Sequence, residues 1–531
     1  MTAGIERRGA QPGLSPGRTR LVLGVVGLAL MAVVSAVSGL NIALPSLARQ
    51  TGATQTDLTW IVDAYTVVFA GLLLFAGALG DRFGRKLLLA VGLVIFGAAA
   101  AGALLTDDPG WLIGLRALMG LGAAGIMPTT LSVITTSFPE EERPRAIGVW
   151  VGVAGGGAVL GLFASGLLLE YFEWQSFFAL NVALALIALV GVLAVVPGSA
   201  EEQPPRLDLA GAALSLVAVA AVVFGIIEGP ERGWGDPVTV GSLTAGVLAA
   251  LAFVAWELRA DQPMLDPRLF RLRGLSAGTL TITVQFFASF GFFFIIIQYL
   301  QYVTDRSPLE AAIALLPLPF VLIPVARNAP RVAQRIGFRR TGPVGLAATA
   351  AGFALLSQLD AATPYWFFVI GLVLFGFGMG LAGTPATTAI TASLPMSKQG
   401  VASALNDTAR ELGSALGIAI LGSALNQHYR DAMADVVANL PGQIADGVLG
   451  SIAFTASPVV NQLGEPGQVL VERAREAFVG GVTDAVLIGS VVLVIAAVAV
   501  AILAPNSGRS EVSQPPEPRP VELPPRTASP T

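Results

Sequence analysis

Fourteen stretches of this chain are apolar and long enough to cross a bilayer, and no other feature constrains the fold as much. Their approximate limits are 21–47, 59–80, 87–105, 111–138, 145–169, 176–197, 207–227, 238–256, 274–303, 309–326, 341–359, 363–392, 401–425 and 482–504. About 20 apolar residues span the hydrocarbon core as a helix. Hydrocarbon offers no partner for a free N–H or C=O, so each stretch must close its hydrogen bonds within itself. The expectation is an all-α polytopic membrane protein with fourteen transmembrane helices. Composition agrees: 54% of the 531 residues are hydrophobic and 12% are charged, against about 25% charged in soluble domains. The net charge of -4 argues against a nucleic-acid partner. The absence of cysteine excludes disulfides and thiolate metal sites, and the single histidine, His428, excludes His-rich ones. No metal and no cofactor are expected.

One turn between two of these stretches carries an ordered pattern. Residues 77–86 read GALGDRFGRK. Gly77, Gly80 and Gly84 permit a tight turn and close approach of helices. Arg82, Arg85 and Lys86 put three cations on one membrane face, which marks that face as cytoplasmic. Asp81 can pair with an arginine or with the positive end of a nearby helix. This ordered pattern closely resembles the loop between the second and third helices of the major facilitator superfamily of secondary transporters. The resemblance implies two six-helix bundles, here with two inserted helices, and a gating role for the loop.

An even number of spans puts both termini on one side. With the 77–86 turn in the cytoplasm, both termini are cytoplasmic in a multi-pass protein of the cell membrane. Most of the 31 Lys and Arg residues then fall on that side. The apolar run after Arg20 is too long for a signal-peptide core and lacks a clear cleavage site, so it reads as a retained first span. The chain also repeats. At a shift of 256 residues, Gly120 and Gly122 fall on Gly376 and Gly378, and Gly157, Gly161 and Gly166 fall on Gly413, Gly417 and Gly422. At a shift of 253, Asp81-Arg82-Phe83-Gly84 falls on Gln334-Arg335-Ile336-Gly337. Parallel halves of this kind are related by an axis along the membrane normal, with substrate between them near the midplane. The expected division is a cytoplasmic N-terminus at 1–20 and an N-terminal six-helix bundle at 21–198. A linker with transmembrane helices 7 and 8 follows at 199–273. The C-terminal six-helix bundle takes 274–505, including an external loop at 427–481, and a disordered cytoplasmic tail takes 506–531. The external stretch fits a helical hairpin over the outer mouth or a mobile loop, with the hairpin the favoured reading.

Some motifs of soluble enzymes occur and fail on context. GLGAAG at Gly120 and GMGLAG at Gly378 satisfy G-x-G-x-x-G, but both lie inside spans and follow no strand. GLSAG at Gly274 fits the nucleophile-elbow pattern, yet His428, the one candidate base, lies on the opposite side of the membrane. No phosphate-loop motif is present. The chain is not expected to be an enzyme.

Ionisable residues inside spans are costly and functional by default. Asp63 stands in WIVDAY of span 2, and Arg116 at a similar depth in GLRALMGLG of span 4. Those depths permit an ion pair. The alternative is that Asp63 exchanges a proton or meets a cationic substrate. In span 13, Asp407, Arg410 and Glu411 occupy two successive turns, and Asp407 and Glu411 share a face at i and i+4. At 1.5 Å per residue from Val401, Asp407 lies about 9 Å deep and Glu411 about 15 Å deep.

Fourteen spans, WIVDAY, and NDTARELGSALG in span 13 together are similar to the fourteen-helix drug/proton antiporter family. The resemblance implies that Arg116 serves proton coupling and that Asp63, Asp407 and Glu411, with Arg410 among them, serve coupling or cation recognition. Three places depart from the family. Its usual aspartate eight residues before Ala43-Leu44-Pro45 is Ser35 here. Its Gly-Pro-x-x-Gly-Gly reads Gly161-Leu162-Phe163-Ala164-Ser165-Gly166, and Trp174-Gln175 stands where the family has Trp-Arg. Gly148, Gly152, Gly156, Gly161 and Gly166, with Gly413 and Gly417, are expected at close helix packing. The implied function is secondary active export of lipophilic small molecules, cations among them, by proton antiport and alternating access. The expected partners are that substrate, protons and membrane lipids, and a monomer is expected. Ser35 and the absent proline favour an alternative, a facilitator or lipid-type exporter without strict proton coupling. A non-transporting receptor or sensor would suit the long external stretch.

Overall fold

All fourteen apolar stretches lie in helices, and no strand occurs among the described residues. The computed structural model describes residues 16–138, 142–198, 207–261, 263–360, 362–395 and 399–505. The expectations for 1–15, for the linker residues 199–206 and for the tail at 506–531 lie outside them. Eleven helices among the described residues are long and apolar enough to cross a membrane. Three further stretches lie in helices of 29, 19 and 39 residues, named below as α6, α13 and α15.

The N-terminal half holds α1 (Pro16–Ser38), α2 (Leu40–Thr51), α3 (Gln55–Phe83), α4 (Arg85–Ala103), α5 (Pro109–Ser137), α6 (Arg143–Tyr171) and α7 (Gln175–Val195). The first stretch is divided between α1 and α2 at Gly39. The insert is α8 (Leu209–Arg232) and α9 (Pro237–Glu257). The C-terminal half holds α10 (Arg273–Tyr302), α11 (Pro308–Ala314), α12 (Pro317–Ile336), α13 (Phe338–Leu356), α14 (Tyr365–Ala392) and α15 (Gln399–Val437). After α15 come α16 (Gly442–Gly450), a 3-10 turn at Ile452–Ala456, α17 (Pro458–Asn461) and finally α18 (Glu465–Leu503).

Local chemistry sets the breaks. A capping box between Thr54 and Asp57 starts α3. Gly84, at φ +102°, ends α3 and caps α4, and Gly337, at φ +82°, does the same between α12 and α13. Only glycine adopts such angles without strain.

The repeat shows in the packing. Gly120 lies against the Tyr65 carbonyl, and Gly376 against that of Leu318. Gly122 meets the Gly92 carbonyl and Phe96, where Gly378 meets the Gly345 carbonyl and Thr349. Gly157 and Gly161 meet Met31 and Ser35, where Gly413 and Gly417 meet the carbonyls of Thr283 and Phe287. The helices α1, α3, α4, α5 and α6 thus correspond to α10, α12, α13, α14 and α15. The expectation for Gly148, Gly152 and Gly156 is corrected: a Cβ at any of them would meet nothing within 4 Å. These three form one i, i+4 row, whereas Gly157 and Gly161 lie on the next row, about 100° around the helix. That second row is where α6 meets α1.

The two halves meet from one end of the bundle inward, through α2 with α10, α6 with α11 and α3 with α15. We call that end the cap end, and the end bearing the 77–86 turn the basic end. The insert is not peripheral. Helix α8 packs on both α3 and α15, and α9 rests on α8. The stretch at 427–481 is largely helical: α15 continues to Val437, α18 begins at Glu465, and the short elements between them lie over α2 and the start of α3. His428 there bonds Asp484 at 2.7 Å, at the opposite end of the bundle from Gly274.

Candidate functional site

Asp63 and Arg116 are both fully buried, but they do not pair. Arg116 Nε donates to the Ile61 carbonyl at 2.9 Å, and its guanidinium lies 4.4 Å from the centre of the Tyr65 ring. Ile61 and Tyr65 are i and i+4 and share a face of α3. Asp63 is two residues from each, about 200° around the helix. Depth alone allowed the pair; helix phase forbids it. Asp63 instead accepts a hydrogen bond from Thr66 Oγ1 at 2.6 Å on Oδ1, and its Oδ2 is buried without a partner. Tyr65 is itself fixed, its hydroxyl donating to the Val33 carbonyl at 3.2 Å.

The antiparallel pair α3 and α15 sets the relation between Asp63 and the span-13 charges. Asn426 Nδ2 donates to Thr56 Oγ1 at 3.1 Å, and Gly422 lies against Thr59. Further along, Val67, Ala415 and Ala419 join Val223 and Ile227 of α8 in one apolar cluster. The same register carried onward brings Glu411 opposite Gly71, about two turns past Asp63 towards the basic end. Glu411 is half-buried, accepts no hydrogen bond and makes no ion pair among the described residues. The Arg410 guanidinium and the Asp407 carboxylate on the same helix are the charges that act on it. Asp407 takes Arg410 at 3.8 Å, while the Arg410 guanidinium stacks 4.6 Å from the Phe286 ring centre. So Arg410 is shared between Asp407, an aromatic face and, at longer range, Glu411, which makes no ion pair of its own among the described residues.

In the basic turn, Asp81 pairs with Arg85 at 3.1 Å across Gly84, closing the break between α3 and α4. Lys86 Nζ donates to the Leu193 carbonyl at 2.9 Å, tying the turn to the end of α7. Arg82 lies beside the Phe83 ring. Gly80 approaches Leu88 and Thr129. Ser35 sits in the α1–α6 crossing against Gly161, with its Oγ 3.4 Å from Asn181 Oδ1.

Sequence reading overlooked several of these partners. Tyr65, Thr66, Thr56 and Asn426 were not singled out. Trp60 Nε1 donates to Glu228 of α8 at 2.9 Å, and Ser423 Oγ to the Ile226 carbonyl at 2.7 Å, so α8 is bonded to both halves. The available signal was polar residues at helical spacing within an apolar run.

The sequence profile of the Major Facilitator Superfamily matches residues 26–418. The chain belongs to that superfamily. Similar proteins include the puromycin resistance protein of Streptomyces alboniger, 38% identical over 72% of this chain and 77% of that protein. The methyl viologen resistance protein of Salmonella typhimurium is 33% identical over 87% of this chain and 93% of that one. A multidrug efflux pump of Mycolicibacterium smegmatis is 30% identical over 92% and 97%. Among solved structures, an inward-facing, unoccupied bacterial homologue of the human lysosomal transporter Spinster matches with a TM-score of 0.65 and 17% identity. That match covers 92% of this chain and 98% of the other. The fold is therefore the major facilitator fold, and the relatives are resistance and efflux proteins, one of them a multidrug efflux pump. This is a multi-pass membrane transporter rather than an enzyme, and its similarity to resistance and efflux proteins supports export.

Proposed function

We propose that the chain exports lipophilic small molecules, cations among them, by proton antiport and alternating access. It works as a monomer in the cell membrane, with the basic end and both termini in the cytoplasm. The observation that carries this reading is Glu411, a carboxylate in the seam between the halves that makes no hydrogen bond or ion pair among the described residues. A carboxylate so placed can be charged while open to water and neutral when occluded, because low dielectric penalises the charged form. Asp63, two turns nearer the cap end and separated from Glu411 by the apolar cluster, supplies a second proton-binding group. Asp407 with Arg410 relays between Glu411 and the cytoplasm. Contacts between halves gather at the cap end, which supports a state closed on that side, and the Asp81–Arg85 turn gates the other.

The test is the purified protein in liposomes, with internal pH followed while methyl viologen, puromycin and a neutral lipid are offered in turn. Antiport predicts proton movement opposite to substrate. A second reading, a facilitator without strict coupling, is favoured by Ser35, which cannot titrate and stands in a tight helix crossing. Substrate movement with no proton movement would establish it.

A further inference from the structure

The junction between the halves is built twice, and only one copy is polar. On α3, Gln55, Thr59, Asp63 and Thr66 succeed one another at spacings of four, four and three, so they share one face, and all four are buried. Their repeat mates are Pro308 and Ala312 on α11, Leu316 in the break before α12, and Pro319 on α12. Both copies make the equivalent contact across the halves, Thr59 against Gly422 and Ala312 against Gly166. Packing is therefore achieved without polar atoms, and burying them unpaired costs about 1–3 kcal/mol each.

Several of these groups do lack partners. Gln55 Nε2, at the cap end of the stripe, has none, and neither has Asp63 Oδ2 further in. Across the seam, Asn426 leaves its Oδ1 unbonded, and Gln298 of α10 leaves its Oε1 so. Gln298 and Asn426 stand one turn beyond Phe294 and Gly422, which pack together, so the two amides lie at one level. One buried donor and three buried acceptors along a seam suit internal water, which makes about three hydrogen bonds to such groups.

We propose that water files along this stripe and delivers protons from the cap face to Asp63. The inference rests on the antiport reading. Gln55 is the first residue of α3, and Asp63 lies about 12 Å along the helix, a span of about four hydrogen-bonded waters. The arriving proton is taken by Oδ2, converting the carboxylate to the acid, while Thr66 holds Oδ1. Beyond Asp63 the seam is dry, closed by Val67, Ala415 and Ala419. The file therefore stops at Asp63 and does not leak to Glu411. The other charged groups nearby are Glu228 of α8, bonded to Trp60, and Arg116 of α5, bonded to the Ile61 carbonyl on the far face of α3. At this level α10 contributes the Gln298 amide.

The test needs no substrate. The full chain is placed in liposomes with its cap face outward, the external pH is dropped rapidly, and carboxyl protonation is followed by time-resolved infrared absorption. The Asp63 band is the difference between wild type and Asp63→Asn. Thr59→Val, which keeps side-chain shape, and Gln55→Leu should each slow its rise at least tenfold and leave its final amplitude unchanged. A band that rises at the wild-type rate in both variants overturns the path and leaves antiport standing. If Asp63→Asn removes no band, Asp63 takes up no proton, and its coupling role fails together with the path.

Discussion

Arg116 reaches from α5 to α3 and gives its Nε hydrogen to the Ile61 carbonyl at 2.9 Å, with Tyr65 stacked beneath it. Asp63 occupies the other face of the same helix. Asp63→Asn and Arg116→Gln should therefore act independently on stability, adding to within about 0.5 kcal/mol in unfolding experiments in detergent. Coupling well above 1 kcal/mol would mean that the two do pair. Asp63→Asn should also lower export of methyl viologen and of neutral compounds alike, because a lost proton-binding group affects every substrate; loss confined to methyl viologen would assign Asp63 to cation recognition, since a carboxylate in low dielectric selects strongly by charge.

Glu411 is unbonded while Asp407 has Arg410. Glu411→Gln should abolish accumulation driven by a pH gradient and preserve substrate binding and downhill exchange. The measurement is uptake with and without an imposed gradient. Continued uphill accumulation in this variant would remove Glu411 from the coupling path.

Asp81 and Arg85 are paired across the Gly84 break. The pair is partly exposed, so its effect on stability is small, below about 1 kcal/mol. Asp81→Asn should leave the amount of inserted protein unchanged and, on the proposed gating role, lower turnover several-fold through loss of a contact made in one of two states. Wild-type rates in the variant would reduce the turn to a topology signal.

Gly413 and Gly417 have backbone carbonyls of α10 where a side chain would stand, whereas Gly152 has open space. Gly413→Ala or Gly417→Ala should cost about 1–3 kcal/mol through overpacking. Gly152→Ala should be neutral or slightly stabilising, since alanine is the better helix former. Thermal unfolding of the three variants separates these outcomes.

The helices and the repeat were legible in the sequence because both rest on local signals, apolar run length and glycine spacing. The partners of Asp63 and Arg116 were not. Depth follows from counting residues, but which way a side chain faces depends on helix phase relative to neighbours that the sequence does not orient. The same limit explains Gly148, Gly152 and Gly156, a well-formed glycine row on the face that α1 does not use. Ser35 reads as a lost acidic group in sequence, while its setting against Gly161 and Asn181 shows a crowded helix crossing. The role of α8 was hidden too, because Trp60 and Glu228 lie 168 residues apart.

The polar face of α3 also has consequences for how the chain is made. Helix α3 leaves the ribosome long before α15, so Thr56 has no Asn426 and the seam has no second wall while the middle of the chain is synthesised. Helix α8 emerges in that interval and docks on the same helix, with Glu228 bonded to Trp60 and Val223 and Ile227 against Val67. Docked there, the inserted helix covers part of α3 that would otherwise meet lipid, and it stays in place in the finished protein. Its contact with α15 can form only after the second half has been made, so the insert joins the two halves in the order of synthesis.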